Sequence, residues 1–477
     1  MSLRDDTVLT ICSLRCLVAV GLMAVFFTWP LLLHSGNPFL LSDSFVYIDQ
    51  GERVWQTLGQ IASNIFASSP AVDGTTPAPS GVGQSIAAAA KEADSIRSLP
   101  YVAFVGAVAP LGLYAVIWSQ IFLVLVFAYA MFQAVNAKVS AIALVGGAVV
   151  MATLTSLPFA GSLLMPDVLG AIIVLFGLIL VHGFERFDLK SQIILCAVAV
   201  FATFTHYGNI PLAAAVILGA LILRAARSRR GRRGMLMGLG ALAIVIGGNV
   251  AIGAAIFGEI SVTPRRFPIL LARSIEDGPA LWHLEEHCAE RQYAVCTWFG
   301  DDIPNNVGDA LWNERGMEHA PSDLYQQIRD QELSILWAAF KEYPLQQIGS
   351  LGQNMVTQLT KLGVNFAQPK TTVFDSAGRR RGVDYEPQPL RARFDVIKRL
   401  LTLCFVVSLA YLLLRSFGKR SPDRELVILM VLALICNAAI FGGLSAPVDR
   451  YQSRIAWLVP LLAMALYFSR NQPAKPQ

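Results

Sequence analysis

The stretch Gln192-Ile-Ile-Leu-Cys-Ala-Val-Ala-Val-Phe-Ala-Thr-Phe-Thr205-His206-Tyr207-Gly-Asn209-Ile-Pro211-Leu-Ala-Ala-Ala-Val-Ile-Leu-Gly-Ala-Leu-Ile-Leu223 is one apolar run with a polar centre. A membrane span needs ~20 mostly apolar residues, within about 17–25, so this run is too long for one ordinary helix. Its centre, Thr205 to Pro211, reads as the tight turn of a helical hairpin set at or below the membrane surface. Counting it as two spans fixes the parity of the chain. Parity in turn decides which polar residues share a side.

The composition agrees with a membrane-embedded chain. Hydrophobic residues make up 55% of the 477 residues and charged residues only 15%. A soluble protein of this length needs far more charge to cover its surface. The first apolar run, roughly 16–34, reads as a retained span because no small-residue cleavage site follows it. Further candidate spans lie near 108–133, 139–157, 165–182, 192–205, 208–223, 235–257, 397–414, 425–443 and 455–469. The fold class implied is an all-α polytopic membrane protein of about ten transmembrane helices, with a small, mainly helical extracytoplasmic domain.

Orientation follows from the Lys/Arg content of short loops. With both termini inside, the inner loops carry Lys138, Arg186, Lys190, the cluster Arg224 to Arg233, Arg415, Lys419, Arg420 and Arg424, and the tail adds Arg470 and Lys475. The short outer loops carry almost nothing basic except Arg450 and Arg454. The formal net charge of +5 therefore reports orientation, and nucleic acid is not an expected partner. This arrangement divides the chain into an N-terminal transmembrane module (1–257), an extracytoplasmic soluble segment (258–395) and a C-terminal transmembrane module (396–477).

Two outer segments are long. The first, about 36–105, is expected to be a loop ending in Ala/Ser/Pro/Gly-rich sequence from Ala67 to Ala90. The second has ordinary soluble composition, and Asp323 to Phe340 carries helical apolar spacing (Leu324, Ile328, Leu333, Leu336, Ala339). Most of the seven cysteines lie in or beside apolar spans. Cys288 and Cys296 sit together in the polar segment, where a disulfide closing a small loop is the expectation outside the cytoplasm. Zinc is the weaker reading there, because only His283 and His287 are near and their spacing matches no familiar site.

With this topology five polar features face one side. They are Asp43 and Asp49 after the first span; Arg97-Ser-Leu-Pro-Tyr101 before the second; Met165-Pro-Asp167 opening the fourth; Thr205-His206-Tyr207 at the hairpin turn; and Asp449-Arg450-Tyr451-Gln-Ser-Arg454 opening the last. Each has a plain alternative. Asp167 could simply cap a helix start, His206 could be a satisfied packing histidine, Arg450 and Arg454 could anchor to lipid headgroups, and the two aspartates could be solvated flank. An ionisable residue at a span costs ~2.5–3.5 kcal/mol on insertion scales, so a shared face of them points to a common task. Arginine forks suit phosphate, and a carboxylate suits general-base work on a hydroxyl.

In this respect Asp43-Ser-x-x-Tyr47-x-Asp49, Arg97-Ser-x-Pro-Tyr101, Met165-Pro-Asp167 and His206 together resemble the GT-C class of integral-membrane glycosyltransferases, which use polyprenyl-phosphate sugars. The likeness covers the first seven spans by layout. The reading that follows is an inverting transfer with Asp43 or Asp49 as base, with Arg450, Arg454 and Arg97 holding the lipid phosphate and Tyr101 and Tyr451 as further substrate-binding residues. His206 and Asp167 would orient a substrate or a divalent cation, the metal requirement being open. The chain departs from that class in lacking an adjacent acidic pair in the first loop. The stretch Leu270-Leu-Ala-Arg273-Ser-Ile-Glu-Asp277-Gly-Pro279 resembles bacterial membrane proteins of similar layout, which implies a bacterial inner membrane.

The partners implied are a lipid-linked sugar donor, a periplasmic glycan, lipid or protein acceptor, and membrane lipids, with no nucleotide cofactor. A polysaccharide polymerase or ligase using diphosphate-linked glycans is the alternative enzyme, and a transporter or scaffold the non-enzymatic one. A transporter places ionisable residues near the bilayer midplane, often in repeated halves, and no repeat is visible. No nucleotide-binding Gly-rich loop and no His-Glu-x-x-His pattern occurs.

Overall fold

The computed structural model describes residues 9–10, 14–34, 37–67, 97–136, 140–226, 232–368, 370–374, 380–385, 388–417 and 423–470. The stretch from 68 to 90, and with it nearly all of the expected Ala/Ser/Pro/Gly-rich segment, lies outside them, as do Lys138, Lys419, Arg420 and Lys475. The described residues are almost entirely helical.

The chain opens with α1 (Leu14–Phe26), α2 (Ser42–Ala67), α3 (Leu99–Val108), α4 (Leu113–Ala134), α5 (Ala141–Leu154) and α6 (Leu157–Gly161). There follow α7 (Gly170–His182), α8 (Leu189–Phe204), α9 (Asn209–Ala226) and α10 (Arg232–Ile252). Six helices among the described residues are long and apolar enough to cross a membrane: Cys16–Leu33, Leu113–Ala134, Asn209–Ala226, Arg232–Phe257, Arg393–Ser416 and Arg424–Gly443. Leu99–Leu111, Ile142–Leu154, Pro166–His182 and Leu189–Phe204 are shorter apolar helices.

At the centre stands α7, buried from Gly170 to Val181 and packed against α4, α8 and α9. A helix hydrophobic all round needs apolar neighbours on every side, and the run Gly170-Ala-Ile-Ile-Val-Leu-Phe supplies that. The peripheral helices leave Leu22, Leu32, Ile142, Ile222, Leu236, Leu403 and Leu414 exposed. So much outward-facing apolar surface is what a lipid-immersed bundle presents.

The hairpin over 192–223 is present as α8 and α9. The turn is closed by the Asn209 amide donating to the His206 carbonyl (2.8 Å) and by Asn209 Nδ2 donating to the Ala202 carbonyl (2.9 Å).

The segment expected to be a loop after the first span instead contains the 26-residue α2. Ser44, Tyr47 and Gly51 are buried along it; their three- and four-residue spacing is a helical stripe. Asp43 in the first turn suits the positive end of the helix dipole. The apolar run 99–134 is likewise two helices, because Pro110 and Gly112, the latter at φ 103°, break it. A positive φ of that kind is open to glycine and strained for other residues.

Residues 269–359 form a second unit of α11 (Ile269–Asp277), α12 (Pro279–Arg291), α13 (Ala294–Phe299), α14 (Val307–Trp312), α15 (Ser322–Glu342) and α16 (Pro344–Leu359). Its own core contains Leu271, Ile275, Leu284, Val295, Leu311, Ile328 and Ile335. A disulfide joins Cys288 to Cys296. The antiparallel hairpin β1 (Lys370–Phe374) and β2 (Arg380–Tyr385) leads to α17 (Gln388–Ser416), α18 (Arg424–Ala438), α19 (Asp449–Ala456) and α20 (Leu458–Arg470).

The unit, with the segment that leads into it, meets the bundle through polar contacts and close packing. The Tyr207 hydroxyl donates to the Pro264 carbonyl (2.8 Å). Gln358 at the end of α16 exchanges two hydrogen bonds with the Val448 backbone (3.0 and 2.9 Å). Gly442 and Gly443 admit Gln358 and Leu351 so closely that a Cβ at either glycine would overlap them.

Candidate acid–arginine site

Asp43 is placed by the strand-like stretch that leads into α2. Phe39 pairs with Leu163, and the Leu164 amide donates to the Phe39 carbonyl (3.1 Å). Buried Ser44 donates from Oγ to the Leu164 carbonyl (2.9 Å). The start of α2 is thus tied to the segment that carries Asp167. On its other flank α2 lies against α3 with almost no gap, since a Cβ on Gly51 would stand 2.8 Å from the Gly106 nitrogen. Ser98 then bonds the Phe204 carbonyl, which fixes Arg97 beside the hairpin turn.

These placements bring the carboxylate of Asp43 between two guanidiniums. Arg97 Nη2 is 2.5 Å from its Oδ1, and Arg450 Nη1 is 3.7 Å from its Oδ2. All three side chains are about one-fifth exposed, 21% in each case, so they line an opening rather than a sealed core. Arg97 also lies over the rings of Phe267 (4.7 Å) and Trp312 (5.7 Å), which come from the segment between the two apolar modules. Cation–π contact of this kind holds a guanidinium while leaving its donors free for an anion.

Beneath them is a buried layer. Arg454 is fully buried, stacks 3.7 Å over the Phe441 ring, and donates from Nε and Nη2 to Asn437 Oδ1 (3.1 and 2.8 Å). Asp167 is 2% exposed, and among the described residues no group hydrogen-bonds either of its carboxylate oxygens or Arg454 Nη1. Tyr47, Tyr101, Arg450 and Arg454 all lie within electrostatic reach of Asp167. A buried carboxylate without hydrogen bonds is costly, so a capping role does not account for Asp167. Complete burial likewise removes Arg454 from any contact with lipid headgroups.

Arg450 donates to the Tyr451 hydroxyl (3.0 Å) and lies over its ring. Phe441 links the remaining members, its ring lying 5.0 Å from that of Tyr451 and 5.3 Å from that of His206. His206 Nδ1 accepts from the Gly208 amide (3.0 Å), which leaves the proton of the neutral ring on Nε2. Gly208 is itself required, because a Cβ there would stand 2.5 Å from Phe441.

Two expected residues fall elsewhere. Asp49 pairs with Arg53 (3.0 Å) and is 61% exposed. Six residues along a helix leave it about 120° round α2 from Asp43. Tyr101 is buried, with its hydroxyl donating to Gln120 Oε1 (2.6 Å) and its ring edge-on to Tyr47. It supports the floor under Asp43 instead of lining the opening.

Asn437, Phe441, Phe267 and Trp312 were not singled out from the sequence. A lone Asn inside the apolar run 425–443 was a readable signal, since an amide there needs a partner. Phe267, Trp312 and Phe441 carried none, because aromatics in such segments are ordinary packing residues.

The donor set bears on a cation. Three arginines face two carboxylates, and Asp43 already holds Arg97. That balance suits an anion and does not fit a divalent metal ion. Comparison with family models, with curated proteins and with solved structures finds no match for this chain.

Proposed function

We propose that the protein is a membrane glycosyltransferase that moves a sugar from a polyprenyl-phosphate donor to a glycan, lipid or protein acceptor. In this reading the chain crosses a bacterial inner membrane about ten times with both termini cytoplasmic, and the acid–arginine site faces the periplasm. The observation that carries the proposal is Asp43 held between Arg97 and Arg450, above buried Arg454 and Asp167.

The donor phosphate takes over the guanidinium forks that Asp43 occupies in its absence, because a phosphate offers more acceptor oxygens in bidentate geometry. Once released from Arg97, the carboxylate of Asp43 is free to accept a hydrogen bond from the acceptor hydroxyl. The carboxylate then takes the proton of the acceptor hydroxyl, and the hydroxyl oxygen attacks the anomeric carbon. The bond from that carbon to the phosphate oxygen breaks, and its electron pair stays on the phosphate. Arg97 and Arg450 stabilise the charge that develops there, an electrostatic contribution worth ~2.7–4 kcal/mol per well-placed donor in comparable sites. His206 Nε2–H is a further donor on the ring that packs against Phe441.

Binding of a polyprenyl phosphate to the purified protein tests the anion half of the proposal. Arg450→Ala is expected to weaken it at least tenfold. Unchanged affinity would remove the phosphate role.

A further inference from the structure

A second cluster lies away from this site, in the unit of α11–α16. His283 and His287 are one turn apart on α12, and their rings stand 4.6 Å apart. Glu342, the last residue of α15, reaches both: its Oε2 is 2.6 Å from His283 Nδ1 and its Oε1 is 3.3 Å from His287 Nε2. The three ligand atoms all lie within 4.8 Å of one another.

We propose that His283, His287 and Glu342 bind one zinc ion, which clamps α12 to the end of α15. Two imidazoles and a carboxylate are a donor set for Zn²⁺, with a fourth position left to water, and hard cations such as Mg²⁺ prefer all-oxygen sites. Metal–ligand bonds of ~2.0–2.1 Å put neighbouring tetrahedral donors about 3.3 Å apart, which is the present separation of His287 Nε2 from Glu342. The closer His283–Glu342 contact opens by less than ~1 Å on metal entry.

The orientation of His283 is set from behind. Its Nε2 lies 3.1 Å from the Tyr293 hydroxyl, so Nδ1 is the atom turned toward Glu342. Such an outer partner fixes which nitrogen meets the metal. The Cys288–Cys296 disulfide starts at the residue after His287 and closes the segment that carries Tyr293. It therefore holds the ligand pair and its orienting hydroxyl on one rigid frame. His283 is fully buried, whereas His287 and Glu342 are 25% and 36% exposed, which leaves an entry path. An imidazole–carboxylate hydrogen bond alone would satisfy His283 but would not require His287 to turn to the same carboxylate.

The full-length protein in detergent, stripped with chelator and titrated with zinc sulfate, tests the site. Wild type is expected to take up one zinc per chain and to gain thermal stability with it. His287→Gln and Glu342→Gln, both at partly exposed positions and thus able to fold, are expected to bind at least tenfold more weakly and to gain no stability. Zinc uptake equal in all three proteins, or absent from wild type, would overturn the proposal.

Discussion

At the scale of single residues, burial separates the two arginines of α19. Arg450 stands at the opening, and Arg454 is sealed beneath it on Asn437 and Phe441. Arg454→Lys keeps the charge but loses the fork that makes two bonds to one amide oxygen. The expected cost is about 1–3 kcal/mol of stability, read as a lower melting temperature, together with a fall in transfer. Retention of both would mean that the fork has no role. The sequence does not tell Asp43 from Asp49, because it reads both as loop residues. Once that segment is α2, helical geometry turns Asp43 to Arg97 and Asp49 to solvent, where it meets Arg53.

At the scale of elements, the site depends on how closely α2 and α3 approach. Asp43 sits in the first turn of α2 and Arg97 lies two residues before α3, and Gly51 and Gly106 let the two backbones meet. Small residues at a helix crossing permit such contact. Gly106→Leu should force the helices apart, at about 1–3 kcal/mol for overpacking, and reduce transfer by separating the ion pair. Gly146 on α5 meets nothing within 4 Å, so Gly146→Ala should leave activity unchanged and keep or slightly raise the melting temperature. A drop equal to that of Gly106→Leu would contradict the packing argument.

The hairpin at 192–223 was legible in the sequence, because length and a polar centre sufficed. The helix α2 is not, since the buried residues among its described side chains are Ser44, Tyr47 and Gly51, and two of these carry little hydrophobic signal. Likewise, the sequence showed two histidines in the polar segment but not Glu342, which lies far along the chain and arrives only through the packing of α15 on α12.

At the scale of the whole molecule, two units meet over the site, and Glu259 lies at their junction. Burial works to raise the pKa of its carboxyl, but hydrogen bonds and charge from Arg329, with Arg265, outweigh this and hold it below its ordinary value. A folded-state value below the unfolded one stabilises the protein at neutral pH, and that stabilisation is lost as pH falls through the folded-state value. Glu259→Gln should therefore be less stable than wild type at pH 7 by about 1–2 kcal/mol, and the gap should close as the pH falls below the ordinary carboxylate range. Thermal unfolding across that range reads it, and a gap that widens in acid would contradict the assignment.

The central claim concerns the carboxylate between the arginines, so the most direct measurement is transfer from a labelled polyprenyl-phosphate sugar by purified Asp43→Asn and Asp49→Asn proteins of equal melting temperature. The account predicts loss of transfer by at least about a hundredfold in Asp43→Asn, as for removal of a general base, and near wild-type transfer in Asp49→Asn. Full activity in Asp43→Asn, or loss only in Asp49→Asn, would contradict it.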